Sequence, residues 1–285
     1  MSVESDTGLN TTRRSYRVQF PGGNGFTLAG IIDRPEQESE VSARIVFSHC
    51  FTCNKDLKAI VRISRSLSEQ GISVLRYDMT GLGGSDGDFS QTNFSTNLLD
   101  LEAAIDFAEQ ELGSVTGLIG HSFGGAATLA LVGQRALLHR ATDQMPPAVV
   151  TLAAPSDTQH LAELLIKMNP DIQESGSGMV SIGGRQWRIT REMVDDFRRH
   201  NLPDLISQIR SPTLLLHSPD DRTVSYDHAL RIMSLIQGAP QQAFNPSLIS
   251  LNGSDHLLTD DSKTIHWLAS SSAAFFKRFG VEKSR

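Results

Sequence analysis

Hydrophobic and polar positions along the chain follow two repeating patterns. Short runs rich in β-branched and other apolar residues, such as 43–48 and 72–77, are typical of buried strands. Longer segments with apolar residues three or four positions apart, such as 92–112, predict amphipathic helices. Strands are predicted at 17–20, 26–33, 43–48, 72–77, 115–119, 148–152, 213–216 and 248–251, and helices at 56–70, 92–112, 124–139, 227–236 and 263–279.

This alternation of strands and helices predicts the α/β class, in which helices cover both faces of a mostly parallel, twisted sheet. The first two predicted strands are separated only by a glycine-rich turn at 21–25, so they are expected to add an antiparallel edge to the sheet. We expect a single domain at 16–280, preceded by a flexible polar leader at 1–15.

One segment, at about 156–205, interrupts the rhythm of strands and helices. It contains a helical pattern at 157–168, a hairpin pattern at 179–190 that turns at 183–184, and a charged helical pattern at 191–200. We interpret the segment as a small cap inserted over a functional site. The alternative is a long, decorated crossover between two strands of the sheet.

Composition narrows the class of protein. Of 285 residues, 39% are hydrophobic and 20% are charged, which is typical of a globular chain and argues against disorder. The net charge of −6 disfavours nucleic acid as a partner. No apolar run approaches the roughly 20 residues of a membrane span, and residues 1–14 lack the apolar region of a secretory signal. The sequence therefore predicts a soluble cytoplasmic protein without a membrane span.

Gly120 to Gly124 matches the G-x-S-x-G pattern of a nucleophile elbow, with Ser122 at its centre. The pattern follows a predicted strand and opens a predicted helix, which is the context that this turn requires. Such a turn exposes the serine oxygen at the rim of the sheet, and the start of the helix offers N–H groups to a developing oxyanion. The alternative is a glycine-rich turn with an idle serine.

A serine nucleophile needs a histidine base and an acid that orients the histidine. His256 lies in a loop directly after a predicted strand, so it can reach the same rim, whereas His228 and His266 lie in predicted helices. Asp220 and Asp221 both follow the strand at 213–216, and the position of Asp221 three residues before Val224 favours Asp221 as the acid. The remaining candidate, after the preceding strand, is Asp157.

The loop after the strand at 43–48 is positioned to complete an oxyanion hole. By position, the backbone N–H groups of Phe51 and Phe123 are the expected donors, and His49 is expected to brace the loop. Cys50 and Cys53 have C-x-x-C spacing, which is typical of a redox pair but also fits two small packing residues.

Together these motifs resemble the α/β-hydrolase superfamily, in particular acyl esterases and serine aminopeptidase-like members. The resemblance extends to hydrolases that are fused to an OsmC-like domain, and it covers roughly 16–279. It implies Ser122, Asp221 and His256 as the catalytic triad, with no cofactor and no metal, and it suggests a functional association with an OsmC-like protein. The segments that carry the resemblance are 49–56, 76–85, 120–122, 154–157 and 255–258.

The sequence therefore predicts a carboxylesterase-like serine hydrolase whose partner is a small-molecule acyl substrate. The same triad would serve an acyltransferase or a peptidase, and a non-catalytic ligand-binding protein on this fold is the remaining alternative. Apolar residues of the cap either form a wall of the substrate pocket or pack as the cap's own core; these are Met179, Ile182, Trp187, Ile189 and Phe197. Arg185, Arg188 and Arg191 favour an acidic substrate or simply form a solvated face.

Overall fold

The computed structural model describes residues 13–138, 147–238, 244–258 and 262–280. An eight-stranded sheet forms the centre, in the order β1-β2-β4-β3-β5-β6-β9-β10. A separate hairpin pairs β7 with β8. The strands are β1 Arg13–Pro21, β2 Thr27–Pro35, β3 Ala43–Ser48, β4 Ile72–Tyr77, β5 Gly117–His121, β6 Ala148–Leu152, β7 Ser177–Ile182, β8 Arg185–Thr190, β9 Thr213–His217 and β10 Ser247–Ser250.

The helices differ from their predicted bounds by a few residues at most. The helix expected from residue 92 begins after Asn93, because the Asn93 side chain accepts the Thr96 N–H and the Thr96 hydroxyl accepts the Asn93 N–H, as in a capping box. The helices are α1 Lys58–Ser68, α2 Phe94–Leu112, α3 Phe123–Leu138, α4 Gln159–Met168, α5 Asp171–Glu174, α6 Arg191–Arg199, α7 Leu202–Ile206, α8 Asp227–Gln237 and α9 Ser262–Phe279.

The sheet is parallel except at one edge, where β1 pairs with β2 and β2 pairs with β4 in antiparallel fashion. This arrangement confirms the predicted α/β class and the antiparallel edge. Residues 13–15, which we assigned to the leader, belong to β1, because Arg13 to Ser15 pair in register with the end of β2. The rest of the predicted leader, residues 1–12, and the end of the helix predicted at 124–139 lie outside the described residues.

Two hydrophobic cores lie on opposite faces of the sheet. Successive residues of a central strand enter different cores, as the two-residue period of a strand requires: Val46 packs in the core under α2 and α3, whereas Phe47 packs in the core under α1 and α9. Because both faces are covered, the central strands are mainly apolar, which explains their nearly continuous hydrophobic runs.

The segment between β6 and β9 forms a cap of α4, α5, the β7–β8 hairpin, α6 and α7. Gly183 and Gly184 both have positive φ, of 59° and 75°, as the two central residues of a type I′ hairpin turn require. The short helices α5 and α7 have too few turns for a clear apolar period and were not predicted. None of the helices in the described part of the chain is long and apolar enough to cross a membrane.

Candidate active site

The elbow between β5 and α3 forces Ser122 into an unusual conformation, with φ of 53°. Close approaches of the backbone explain the flanking glycines. A Cβ atom on Gly120 would lie 2.4 Å from the carbonyl oxygen of Gly124, and a Cβ on Gly124 would lie 2.4 Å from the carbonyl oxygen of Ser48. Only glycine therefore lets α3 start this close to the carboxyl ends of β3 and β5.

The structure brings together the three side chains that the sequence singled out for chemistry. The Ser122 hydroxyl donates to Nε2 of His256 at 2.9 Å, and Nδ1–H of His256 donates to Oδ2 of Asp221 at 2.7 Å. Oδ1 of Asp221 accepts the backbone N–H groups of Thr223 and Val224 at 2.8 and 3.0 Å. Burial opposes ionisation of Asp221, but the hydrogen bond from His256 and these N–H donors outweigh it and lower the pKa of the carboxyl.

The other candidate acids lie elsewhere. Oδ2 of Asp220 accepts the N–H of Gly253 at 2.9 Å, so this carboxylate ties the loop of the acid to the loop of the histidine without touching His256. Asp157 accepts the N–H of His160 at 2.9 Å and pairs with Arg231 at 3.1 Å. The structure therefore singles out Asp221 as the carboxylate in contact with the His256 imidazole.

The loop that follows β3 is a tight turn closed by a disulfide bond between Cys50 and Cys53. The Cys53 N–H donates to the Cys50 carbonyl at 3.2 Å, and Thr52 has φ of 59°, as at the third position of a type II turn. The turn presents the backbone of Phe51, whose ring packs against the ring of Phe123 with centroids 5.3 Å apart. Neither the backbone N–H of Phe51 nor that of Phe123 donates a hydrogen bond to any of the described residues.

An ion-pair network anchors the residues directly after this turn. Lys55 donates from its backbone N–H and from Nζ to the buried carboxylate of Asp78, at 2.6 and 2.8 Å. Arg76, also buried, donates to Asp33 at 2.8 Å, to the Lys55 carbonyl at 2.8 Å and to Asp56 at 3.0 Å. Because every charged group of the network has a partner, it ties the turn firmly to β2 and β4.

Three buried histidines hold the loops that surround the site. His49 donates from Nδ1–H to the Cys50 carbonyl at 2.8 Å and accepts the Met79 N–H, as predicted for a brace. Sequence reasoning missed the other two. His121 and His217 lie at the ends of β5 and β9 and donate from Nε2–H, each at 2.8 Å, to carbonyls of His256 and Val224 respectively.

Burial keeps these histidines neutral near neutral pH, although their hydrogen bonds to backbone carbonyls favour the protonated form. Burial lowers the pKa of His121 to about 4, and burial is also the main cause that lowers the pKa of His49 and His217. A histidine at the end of a strand, next to a candidate nucleophile or at the start of the loop that carries a candidate acid, is the signal that would have identified His121 and His217.

A cavity of about 740 Å³ opens above Ser122 and His256, between the core and the cap. Its walls are mainly apolar and come from α4, the cap hairpin and the loops around the site. Of the cap residues weighed for this wall, Ile182 and Trp187 line the cavity, whereas Ile189 and Phe197 are buried in the core. Met179 is exposed and does not line the cavity. No group of three metal-ligating side chains occurs among the described residues.

Comparisons with known proteins agree with this architecture. A family model described as the alpha/beta hydrolase family matches residues 45–274. The esterase domain of a Rhodothermus marinus protein is 34% identical, with a TM-score of 0.70, and the match covers 94% of this chain and 99% of that one. Est1E from Butyrivibrio proteoclasticus, solved with ferulic acid, is 20% identical, with a TM-score of 0.74 and coverage of 92% and 99%. No curated protein matches the chain.

The similarity to Est1E supports only the fold, whereas the family model and the similarity to the Rhodothermus protein also support membership of the family. None of these comparisons concerns an OsmC-like partner or the cellular compartment. The association with an OsmC-like protein and the cytoplasmic location therefore stay predictions. The matched family model spans most of the chain, including the elbow, the cap and the loops of Asp221 and His256. The chain therefore belongs to the alpha/beta hydrolase family, and it is a hydrolase.

Proposed function

We propose that this protein is a serine hydrolase that cleaves carboxylic esters through an acyl-enzyme. The observation that carries the proposal is the series of contacts from Ser122 to His256 to Asp221, at 2.9 and 2.7 Å, at the base of an apolar cavity. The similarity to an esterase domain at 34% identity supports the ester as the bond that is cleaved.

In this mechanism His256 takes the proton of Ser122 while the serine oxygen attacks the ester carbonyl. Asp221 keeps the imidazole in the tautomer that accepts this proton, and its lowered pKa keeps it ionised to stabilise the imidazolium. The N–H groups of Phe51 and Phe123 donate to the tetrahedral oxyanion.

Collapse of this intermediate breaks the ester C–O bond, and the imidazolium gives its proton to the leaving alkoxide. Water then attacks the acyl carbonyl while His256 takes a proton from the water. The second intermediate collapses by breaking the bond to the Ser122 oxygen, and the imidazolium returns its proton to that oxygen, which releases the free acid. The apolar walls of the cavity favour an apolar chain next to the scissile bond. Transfer to an alcohol or a peptide instead of water would use the same acyl-enzyme.

A fluorophosphonate probe tests the nucleophile directly. We expect the folded protein to be labelled, Ser122→Ala to lose labelling, and its rate on p-nitrophenyl esters to fall by more than about a thousandfold. Ser156→Ala is the matched control, because the Ser156 hydroxyl also donates to a histidine, Nδ1 of His228 at 2.9 Å, but does not lie in the elbow. This variant should keep both the labelling and the esterase rate.

Labelling that survives Ser122→Ala, or an absence of labelling in folded protein, would refute the proposal. Product analysis with added alcohol or peptide acceptors separates the related activities. Free acid as the main product supports a hydrolase, whereas an acylated acceptor identifies a transferase.

A further inference from the structure

The charged residues that line the cavity are few and unequal. Asp56, Lys58 and Arg185 are the lining residues with a full formal charge. The Asp56 carboxylate is already paired with Arg76 at 3.0 Å and with Lys55 at 3.1 Å, so its charge is compensated within the protein. Lys58 and Arg185 are thus the two charged lining residues that remain.

Neither cation has a carboxylate partner in the part of the chain that the structure describes. Lys58 begins α1, a few residues after the turn that carries Phe51, and therefore belongs to the core side of the cavity. Arg185 begins β8, directly after the hairpin turn, and belongs to the cap side. The two unpaired cations therefore come from different parts of the fold to line one cavity.

The orientation of Arg185 follows from the hairpin. Side chains two apart in a strand share a face, so Arg185 lies on the same face of β8 as Trp187. Trp187 lines the cavity, donates from Nε1–H to the Ile182 carbonyl at 3.3 Å and packs against Phe89 with ring centroids 4.8 Å apart. These contacts fix the face of the hairpin that meets the cavity.

The other two arginines of this region are engaged elsewhere. Arg188 lies on the opposite face of β8 and donates to the Ser177 hydroxyl at 3.1 Å. Arg191 donates to the carbonyl oxygens of Gln173 and Glu174. Neither lines the cavity. The cluster of arginines in the sequence thus separates into one residue at the cavity and two that stabilise the cap.

An apolar cavity with unpaired cations favours an amphipathic anion. Electrostatic attraction is stronger beside low-dielectric walls than in open water, and a guanidinium matches the two oxygens of a carboxylate. We propose that the substrate is an ester with an apolar chain that ends, away from the scissile bond, in a carboxylate bound by Lys58 and Arg185. This inference rests on the proposed esterase function and names its substrate class.

Two matched pairs of esters test the proposal, with the carboxylate on the acyl side or on the alcohol side. The acyl pair is mono-p-nitrophenyl suberate and p-nitrophenyl octanoate, and the alcohol pair is the acetyl ester of 8-hydroxyoctanoic acid and octyl acetate. The quantity measured is the ratio of kcat/KM for the charged ester to that for the neutral ester. Use of a ratio removes general effects of a substitution on catalysis.

We expect Arg185→Gln and Lys58→Gln each to lower this ratio by up to about fivefold in one of the two pairs, since both residues are exposed and exposed ion pairs contribute up to ~1 kcal/mol. Arg185→Glu should lower it further. Added salt should lower the wild-type ratio more than that of the double variant. Arg188→Gln is the matched control on the opposite face of β8 and should leave the ratio unchanged.

A ratio that is the same in wild type, Arg185→Gln and Lys58→Gln for both pairs overturns the inference while the esterase function stands. An equal effect of Arg188→Gln also overturns it, because the effect would then be one of general surface charge. If the wild type hydrolyses neither the charged nor the neutral esters, the proposed function itself fails.

Discussion

The cap is tied to the core by a carboxylate whose contribution to stability can be predicted. Asp196 of α6 is buried, and its oxygens accept the backbone N–H of Ser95 at 3.0 Å and the Ser95 hydroxyl at 2.7 Å, at the start of α2. His200 lies 3.6 Å from the same carboxylate. Burial opposes ionisation, but the nearby His200 and the hydrogen bonds from Ser95 outweigh it and lower the pKa of Asp196 to about 2.

This lowered pKa sets both the size and the sign of the effect. A fall from the ordinary value of 3.8 to about 2 corresponds to about 2 kcal/mol in favour of the folded state, because one pKa unit is ~1.36 kcal/mol. For a carboxyl group with a lowered folded-state pKa, this contribution is fully present above pH 3.8 and is lost as the pH falls towards 2. By about pH 3 roughly half of it should remain.

We expect Asp196→Asn to lower the free energy of unfolding by about 2 kcal/mol near neutral pH and by about half as much near pH 3. Urea unfolding followed by circular dichroism at both pH values measures the difference. Asp195→Asn is the matched control, because Asp195 is an exposed neighbour on α6, 4.0 Å from Arg198.

Two outcomes would refute this reasoning. One is an Asp196→Asn variant as stable as wild type near neutral pH. The other is a loss of stability that is equally large near pH 3, because the effect would then be independent of ionisation. A loss of the same size in Asp195→Asn would point to the charge of α6 as a whole.

Two further predictions concern the loops around the site. His121→Leu removes the donor to the His256 carbonyl and should lower kcat about tenfold with little change in KM, whereas His121→Gln keeps an N–H and should recover part of the rate. Steady-state kinetics decide this, and equal rates for the two variants would contradict it. Reduction of the Cys50–Cys53 disulfide frees the turn that presents the Phe51 N–H and should lower kcat by up to about tenfold. Esterase rates with and without dithiothreitol measure the effect. The rate of a double cysteine-to-serine variant should be the same with and without the reductant. An unchanged wild-type rate in dithiothreitol would contradict the prediction.

Much of the fold was predictable because it depends on neighbours in the chain. Apolar runs and helical periods identified the eight strands of the main sheet and its helices, since a strand buried on both faces is mainly apolar. The elbow could be located because Gly120, Ser122 and Gly124 act within one turn of backbone. The cap hairpin was predicted from its two turn glycines for the same reason.

Other features depend on contacts between residues that are far apart in the chain. Asp220 and Asp221 are adjacent and chemically identical; the sequence favoured Asp221 as the acid, and the folded loops show that Asp221 contacts His256 whereas Asp220 contacts Gly253. The contact between Ser95 and Asp196 joins residues that no local pattern relates.

The sequence by itself thus determined the order of the elements, the elbow and the set of residues able to do chemistry, because these follow from short-range patterns of burial and backbone conformation. The tertiary structure decided that Cys50 and Cys53 are bonded, that His121 and His217 hold two loops, and which arginine lines the cavity. The physical reason is that the direction of a side chain in a loop or in the cap depends on how elements far apart in the sequence pack against each other. Neither the composition nor the hydrophobic period of the sequence carries that information.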